Sequence, residues 1–281
     1  MNEITAKQEI APNTFRYVIH HPKIARKRKA GQFVILRTHD GGERVPLTIV
    51  DSDPETGGVT LIFQAVGHST KELAELGVGD RLMDLAGPLG RATHIENFGT
   101  ACVIGGGYGT APVLPIAQAL KDAGNRLLGI VGARSKDLVI LEQELRAICE
   151  RLEVATDDGS YGHHGFVTDV LQKLLDEGEK LDLVLAVGPT PMMRAVSKLT
   201  AEHGIKTMVS LNPIMVDGTG MCGGCRVEIG GETKFACVDG PEFDGHLVNY
   251  DLLMKRQATY KGEEREADAR ESHCKIGLDA P

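Results

Sequence analysis

Apolar and polar positions alternate in short runs through the first 97 residues of the chain. FRYVIHH, GQFVILRT, VPLTIVD and GGVTLIFQAV are typical strand segments, and Gly, Asp and Pro occupy the turns between them. One stretch, STKELAELG, has helical spacing. The pattern predicts an N-terminal antiparallel β-barrel or sandwich over residues 1–97.

The pattern changes at residue 98. Apolar strands such as ACVIGG, RLLGIVGA and LDLVLAVG alternate with helical stretches such as APVLPIAQALKDAG and FVTDVLQKLLDEG. This alternation predicts a central parallel α/β domain over residues 98–210. Residues 211–250 form a small cysteine-rich module, and residues 251–281 form a polar C-terminal tail that is a candidate docking segment for a partner.

Composition narrows the class of protein. The chain has 281 residues, of which 42% are hydrophobic, and a net charge of −8, as expected for a globular protein of about two domains. The acidic balance argues against nucleic-acid binding. No apolar stretch is long enough to span a bilayer and residues 1–11 lack a signal-peptide pattern, so we expect no membrane association and a cytoplasmic location. Thiols stay reduced in the cytoplasm, so clustered cysteines in this chain are expected to bind metal or to act as redox groups.

A glycine-rich junction opens the α/β domain. In TACVIGGGYGTAP a strand runs into Gly105–Gly107 and Gly109, and a helix begins near Pro112. Glycines there allow the backbone to approach a pyrophosphate at the helix N-terminus. The G-x-G-x-G spacing differs from the common dinucleotide fingerprint, so a simple tight turn stays an alternative. The next strand ends in Arg134, Ser135 and Lys136, which could accept a 2′-phosphate, and the choice between NAD and NADP is open.

The segment VDGTGMCGGCRVEIGGETKFACVDG has the spacing of an iron–sulfur site. Two residues separate Cys222 from Cys225, eleven separate Cys225 from Cys237, and four separate Asp217 from Cys222. Plant-type [2Fe–2S] sites use C-x4-C-x2-C plus a distant cysteine, so Asp217 occupies the place of the first cysteine. A carboxylate is a harder ligand than a thiolate, so the reduction potential of this site is predicted to differ from that of an all-cysteine site. A structural zinc ion and a C-x-x-C thiol couple are the alternatives.

The remaining cysteines and a histidine pair are not expected to be ligands. Cys102 lies in an apolar strand and Cys149 in a helix, where a free cysteine usually behaves as a small hydrophobic residue. Cys274 lies in the polar tail and is either an exposed thiol or a contact with another chain. His163 and His164 follow glycines and are interpreted as a solvated loop pair.

Eight motifs, in this order, carry a family resemblance. They are GERVPLTI, VGHSTKEL, GPLG, GGGYGTAP, DDGSYG, GPTPMM, the cysteine segment and DGPEFDG. Together they span nearly the whole chain, which resembles the ferredoxin-NADP reductase superfamily. Within it, the chain is similar to the small subunits of NADH-dependent ferredoxin:NADP oxidoreductase, also described as sulfide dehydrogenase, and to the electron-transfer subunits of dihydroorotate dehydrogenase B.

The resemblance implies an FAD in the barrel. The implied FAD contacts are Arg44, Pro46, Leu47, Thr48, Gly67, Ser69 and Thr70. Two positions depart from the family pattern. Arg44 lies one residue further from Thr48 than is usual, so a solvated charge at a strand end is an alternative for it. Ser69 replaces the usual glycine, which removes backbone freedom but adds a hydroxyl donor.

The resemblance also implies a nicotinamide dinucleotide on the α/β domain. The implied contacts are Gly107, Tyr108, Gly109, Thr110, Arg134, Asp157, Gly188, Pro189 and Met192. Val187 stands where many relatives have a cysteine, so no thiol is available to touch the nicotinamide. Hydride transfer between nicotinamide and flavin needs no side-chain acid or base, and we therefore assign no catalytic residue.

The function implied is that of an electron-transfer subunit. It exchanges hydride between NAD(H) and FAD and passes single electrons through a [2Fe–2S] cluster to a larger flavin/iron–sulfur subunit, in an electron-bifurcating heterodimer that serves ferredoxin indirectly. An aspartate among the ligands is typical of the small subunits of the bifurcating reductase. The alternatives are the electron-transfer subunit of dihydroorotate dehydrogenase B, a stand-alone NAD(P)H reductase, and a zinc-stabilised nucleotide-binding regulator.

Overall fold

The N-terminal residues form the predicted antiparallel barrel. The computed structural model describes residues 1–264 and 266. The barrel elements are β1 (Glu3–Ala11), β2 (Thr14–His20), α1 (Pro22–Lys27), β3 (Phe33–Arg37), β4 (Val45–Asp53), β5 (Gly58–Gln64), α2 (His68–Glu75) and β6 (Asp84–Leu89). The strands pair in the order β1-β2-β5-β4-β3-β6, and every pairing is antiparallel. Backbone bonds from Ile4 to Asp80 and from Leu82 to Asn2, each 2.9 Å long, join β1 to the segment before β6.

The central residues form a doubly wound sheet. Its elements are β7 (Thr100–Gly106), α3 (Thr110–Asp122), β8 (Arg126–Ala133), α4 (Glu142–Ile148), β9 (Arg151–Thr156), β10 (His163–His164), α5 (Val167–Asp176), β11 (Leu183–Val187), α6 (Thr190–Glu202) and β12 (Lys206–Ser210). These strands lie side by side in the order β10-β9-β8-β7-β11-β12. The chain moves outward from β7 to β9 and then returns to β11 on the other side of β7. The topological switch point, where such sheets bind ligands, therefore lies between β7 and β11.

The cysteine-rich residues are tied to this sheet. They form β13 (Arg226–Ile229), β14 (Glu232–Phe235), α7 (Ala236–Asp239) and β15 (Glu242–Asp244). Strand β15 pairs antiparallel with β12 and extends the sheet at its edge. One buried apolar cluster runs from Phe33 of the barrel through the sheet to Cys225 and Cys237. The fold class predicted from the sequence is confirmed.

The predicted polar tail begins inside a helix. Residues 251–281 were assigned to the tail, but α8 spans Tyr250–Gln257, and Leu253 is 1% exposed in the shared core. The Tyr250 hydroxyl lies 2.8 Å from the Ser197 hydroxyl of α6. This helix was missed because only its first turns carry apolar residues. Cys274 lies outside the described residues, and no described helix is long and apolar enough to cross a bilayer.

Candidate functional site

A cavity of about 930 Å³ lies where the barrel, the switch point and the cysteine-rich module meet. Ten of the sequence-predicted contacts line it: Pro46, Thr48, Gly107, Tyr108, Gly109, Arg134, Asp157, Gly188, Pro189 and Met192. The chain segment that follows β12 and Pro241 of the cysteine-rich module also line the cavity. The fold therefore brings the predicted flavin face and the predicted nucleotide face to one space.

Close backbone packing at the switch point requires glycine. A Cβ on Gly109 would overlap the Val187 carbonyl and lie 2.8 Å from the Gly188 Cα, and both of these are backbone atoms. Gly107 has a φ of +56° and nothing within 4 Å of its Cβ position, on the lining of the cavity. The glycine-rich turn thus supplies both a close strand–helix approach and an open backbone edge for a ligand.

Tyr108 links the two halves of the cavity. It follows β7 in the sheet domain, and its hydroxyl forms a hydrogen bond with the Thr48 backbone of the barrel. Burial raises the pKa of Tyr108 far above its ordinary value, and the bond to Thr48 offsets this only in part. The phenol is therefore neutral where the glycine-rich turn meets the barrel wall.

Other predicted contacts lie away from the cavity lining. The Leu47 side chain is in the barrel core, because β4 alternates and directs Pro46 and Thr48 to the cavity. Thr110 is fully buried at the start of α3, and its Oγ1 has no hydrogen-bond partner among the described residues. We expect any ligand contact of Leu47 or Thr110 to be made by backbone atoms.

Three more predicted FAD contacts gather at the N-terminus of α2. The Gly67 N–H donates to Thr70 Oγ1 at 3.1 Å, and the Ser69 hydroxyl donates to the Glu43 carboxylate. The Ser69 hydroxyl is thus paired with an acidic side chain beside the start of α2. Arg44 is exposed, lines a separate cavity of about 320 Å³, and lowers the pKa of Asp217 through its charge. Arg44 does not line the main cavity.

Two of the four predicted cluster ligands are in contact. The Cys225 and Cys237 sulfurs are 3.2 Å apart and buried, whereas Cys222 is exposed. Burial, followed by the contact with Cys225, raises the pKa of Cys237 to about 12. Cys237 therefore holds its proton until a metal displaces it.

Asp217 is held as an anion beside this pair. Its Oδ2 accepts hydrogen bonds from the Thr219 hydroxyl at 2.6 Å, the Thr219 N–H at 2.9 Å and the Met221 N–H at 3.1 Å. These bonds, and then the charge of Arg44, hold the pKa of Asp217 below its ordinary range. All three bonds reach one oxygen, which leaves Oδ1 available as a ligand atom.

The donor set fits a two-iron cluster. Among the described residues, no three His, Cys, Asp or Glu side chains converge on one point. In a [2Fe–2S] cluster each iron takes two protein ligands, and Cys225 with Cys237 form one such pair. Gly218, Gly220 and Gly223 all have positive φ, between +67° and +87°, which lets this loop turn its N–H groups inward.

Sequence reasoning missed part of the cavity wall. Phe166 is 64% exposed, lines the cavity, and directly precedes α5. An exposed aromatic residue after a glycine was the available signal, but the exposure is visible only in the fold. His163 and His164 are exposed as expected, although they form a short parallel strand on β9. Cys102 and Cys149 are buried among apolar residues, as expected.

The fold defines a class of protein. Around one cavity it places a barrel, a doubly wound sheet with a glycine-rich switch point, and a cysteine-rich module. The class is that of modular reductases that connect a pyridine nucleotide, a flavin and an iron–sulfur cluster. Family models agree: residues 212–249 match the iron–sulfur cluster binding domain of dihydroorotate dehydrogenase B, and residues 103–198 match the oxidoreductase NAD-binding domain.

Relatives narrow the class to a family. A dihydroorotate dehydrogenase B (NAD(+)) electron transfer subunit homolog from Thermotoga maritima is 48% identical over 94% of this chain and 93% of the relative. The electron transfer subunit from Fusobacterium nucleatum is 34% identical over 84% of this chain and 92% of its own length. The chain belongs to the family of dihydroorotate dehydrogenase B electron-transfer subunits and their homologues.

A solved structure agrees with this assignment. A chain from the structure of the NADH-dependent reduced ferredoxin-NADP oxidoreductase, described in connection with flavin-based electron bifurcation, has a TM-score of 0.92 and 46% identity. The match covers 96% of this chain and 97% of that one. The predicted cofactors, FAD, NAD(H) and a [2Fe–2S] cluster, and the prediction of an oxidoreductase subunit are confirmed at the level of the family.

Proposed function

We propose that this chain is the small subunit of an electron-bifurcating NADH-dependent ferredoxin:NADP oxidoreductase. One observation carries the electron route in this proposal. The segment that follows β12 lines the cavity as far as Met215, and Asp217 is only two residues further along the chain. Two residues span at most about 7 Å, so the cavity wall leads directly to the proposed cluster. The domain ranges 1–97, 98–210 and 211–250 and the sites named above are part of this proposal.

The residues of the cavity position cofactors rather than transfer protons. When bound, FAD and NAD(H) exchange a hydride and the [2Fe–2S] cluster carries single electrons. Tyr108 and Thr48 hold the barrel against the sheet, and the backbone of Gly107–Gly109 faces the nucleotide. The mainly apolar lining excludes water from the exchange. Rigid alignment is the contribution expected of this protein.

The proposed partner is a larger flavin/iron–sulfur subunit in a heterodimer. The relatives named above are electron transfer subunits, which by that name act with another chain. The cysteine-rich loop is accessible to such a partner, since Met221 is 86% exposed and Cys222 is exposed. We propose that ferredoxin exchanges electrons only with this partner, and that the reduced thiols of the loop suit a cytoplasmic location.

Anaerobic purification with an absorption spectrum and metal analysis tests the proposal. Flavin bands, about two irons per chain, and bleaching of both chromophores by NADH are expected. Zinc without iron would remove the electron route and leave a simple reductase. NADPH that reduces the flavin as fast as NADH would contradict the nucleotide assignment but not the electron route.

The family name itself supports a second candidate, the electron-transfer subunit of a dihydroorotate dehydrogenase. Asp217 at the first ligand position argues against it. Co-purification of the native complex separates the two. Reduction of NADP⁺ that requires NADH and reduced ferredoxin together as electron donors would support the coupled reaction of a bifurcating enzyme. Dihydroorotate-dependent reduction of NAD⁺ by the same complex would instead establish the second candidate.

A further inference from the structure

The end of helix α8 connects the cysteine-rich loop to the nucleotide cavity. Arg256 Nη2 donates to the Gly224 carbonyl at 3.1 Å, and Gly224 lies between Cys222 and Cys225. The next residue, Gln257, donates from Nε2 to the Asn212 carbonyl at 3.0 Å. Adjacent side chains of one helix thus hold the proposed cluster loop and the cavity segment.

Gln257 also fixes the helix at the switch point. The Thr190 hydroxyl at the start of α6 donates to Gln257 Oε1 at 2.9 Å, and Gln257 Nε2 lies 3.1 Å from Asn212 Oδ1. Asn212 itself lines the cavity. With Leu253 buried in the shared core, α8 cannot swing away from the loop without breaking these contacts. Arg256 is therefore presented to the loop by a fixed support.

Arg256 has unused hydrogen-bonding capacity. Its Nε is buried and has no partner among the described residues. A guanidinium is always charged, and a buried donor normally finds an acceptor. A sulfur atom of a cluster held by Cys222 and Cys225 would supply one, since hydrogen bonds to the sulfurs and local charge both set cluster potentials.

We propose that Arg256 is a positioning residue that holds the cluster loop and raises the reduction potential of the [2Fe–2S] cluster. The proposal rests on the proposed function. One-electron reduction adds one negative charge to the cluster. The electron comes from NADH through FAD and leaves to the partner subunit. A fixed positive charge stabilises the more negative form, and the low local dielectric of a half-buried site strengthens the effect.

The test compares Arg256→Gln, Arg256→Lys and Lys255→Gln in the full chain with bound cofactors. Lys255 is the preceding residue of the same helix and is exposed, so its variant removes one positive charge without touching the loop. The cluster potential is measured by an anaerobic redox titration followed by electron paramagnetic resonance. Iron content and flavin reduction by NADH are measured on the same samples.

Arg256→Gln is expected to shift the electron equilibrium between flavin and cluster about twofold to tenfold toward the oxidised cluster. Arg256→Lys should restore most of the potential, and Lys255→Gln should match the wild type. Flavin reduction by NADH should be unchanged in all three. A potential in Arg256→Gln equal to that in Lys255→Gln would overturn the proposal.

If Arg256→Gln loses its iron, its cluster potential cannot be measured, and Arg256→Lys then tests the proposal. If Arg256→Lys retains iron near the wild-type level and has a near wild-type cluster potential, the role of the positive charge is supported. Equal iron loss in both variants overturns it and leaves a purely structural contact. Absence of iron from the wild-type protein would refute the proposed function itself, which is a different result from any of these.

Discussion

Glu242 is a buried carboxyl group at the junction of the three parts of the fold. It lies on β15 opposite Ser210, and its Oε1 is fully buried without a hydrogen-bond partner among the described residues. The Thr93 hydroxyl lies beside the carboxylate, and the backbone of Gly31 in the barrel faces both groups. Burial raises the pKa of Glu242 from 4.5 to about 7, and the contact with Thr93 offsets this only in part.

The sign of the effect on stability follows from proton binding. Between pH 4.5 and about 7 the folded protein binds a proton at Glu242 that the unfolded chain has released. Stability therefore falls as the pH rises through this window, and the loss is complete above it. The difference between a pKa of 4.5 in the unfolded chain and about 7 in the folded protein lowers the free energy of unfolding by about 3 kcal/mol at pH 8. At pH 5 the cost is below about 1 kcal/mol.

Glu242→Gln keeps the shape of the side chain and removes the ionisation. Its apparent Tm should match the wild type at pH 5 and exceed it by about 6 °C at pH 8, at roughly 2 °C per kcal/mol for a chain of this size. Differential scanning fluorimetry at several pH values, with flavin content held equal, measures this. Glu55→Gln changes an exposed glutamate and is the control. A Tm difference that is the same at pH 5 and pH 8 would refute the reasoning.

Three further predictions concern the redox sites. Asp217→Cys should retain the cluster but alter its paramagnetic resonance spectrum and potential, because a thiolate replaces a harder ligand; if neither property moves, Asp217 is not a ligand. Cys225→Ala should lose its iron yet keep an FAD that NADH reduces, and a folded variant with an unreducible flavin would show that the two sites are not separate. Tyr108→Phe removes the bond to Thr48, worth about 1 kcal/mol, and should slow NADH-dependent flavin reduction about fivefold in stopped-flow traces. An unchanged rate would mean that this bond does not align the cofactors.

The candidate site was predicted from sequence where its chemistry is local. The glycine-rich turn and the C-x2-C spacing place particular residue types at particular intervals. Most other contacts were implied by the family resemblance, and ten of the predicted contacts line one cavity. The side-chain directions of Leu47 and Arg44 were harder to predict, because the direction of a strand residue depends on the pleat and on what packs beside it. Leu47 points into the barrel core, and Arg44 lines a cavity separate from the main one.

The sequence by itself determined the kind of protein. Strand and helix periodicity predicted the two large domains, glycine and cysteine spacing predicted a nucleotide site and a metal or cluster site, and the family resemblance implied the FAD. Only the tertiary structure decided which distant residues meet. Helix α8 reaches both sites, Glu242 loses its water at a three-way junction, and Phe166 borders the cavity. The reason is physical. Periodicity and ligand spacing act over a few residues, whereas burial and electrostatic neighbours arise from contacts between segments far apart in the chain.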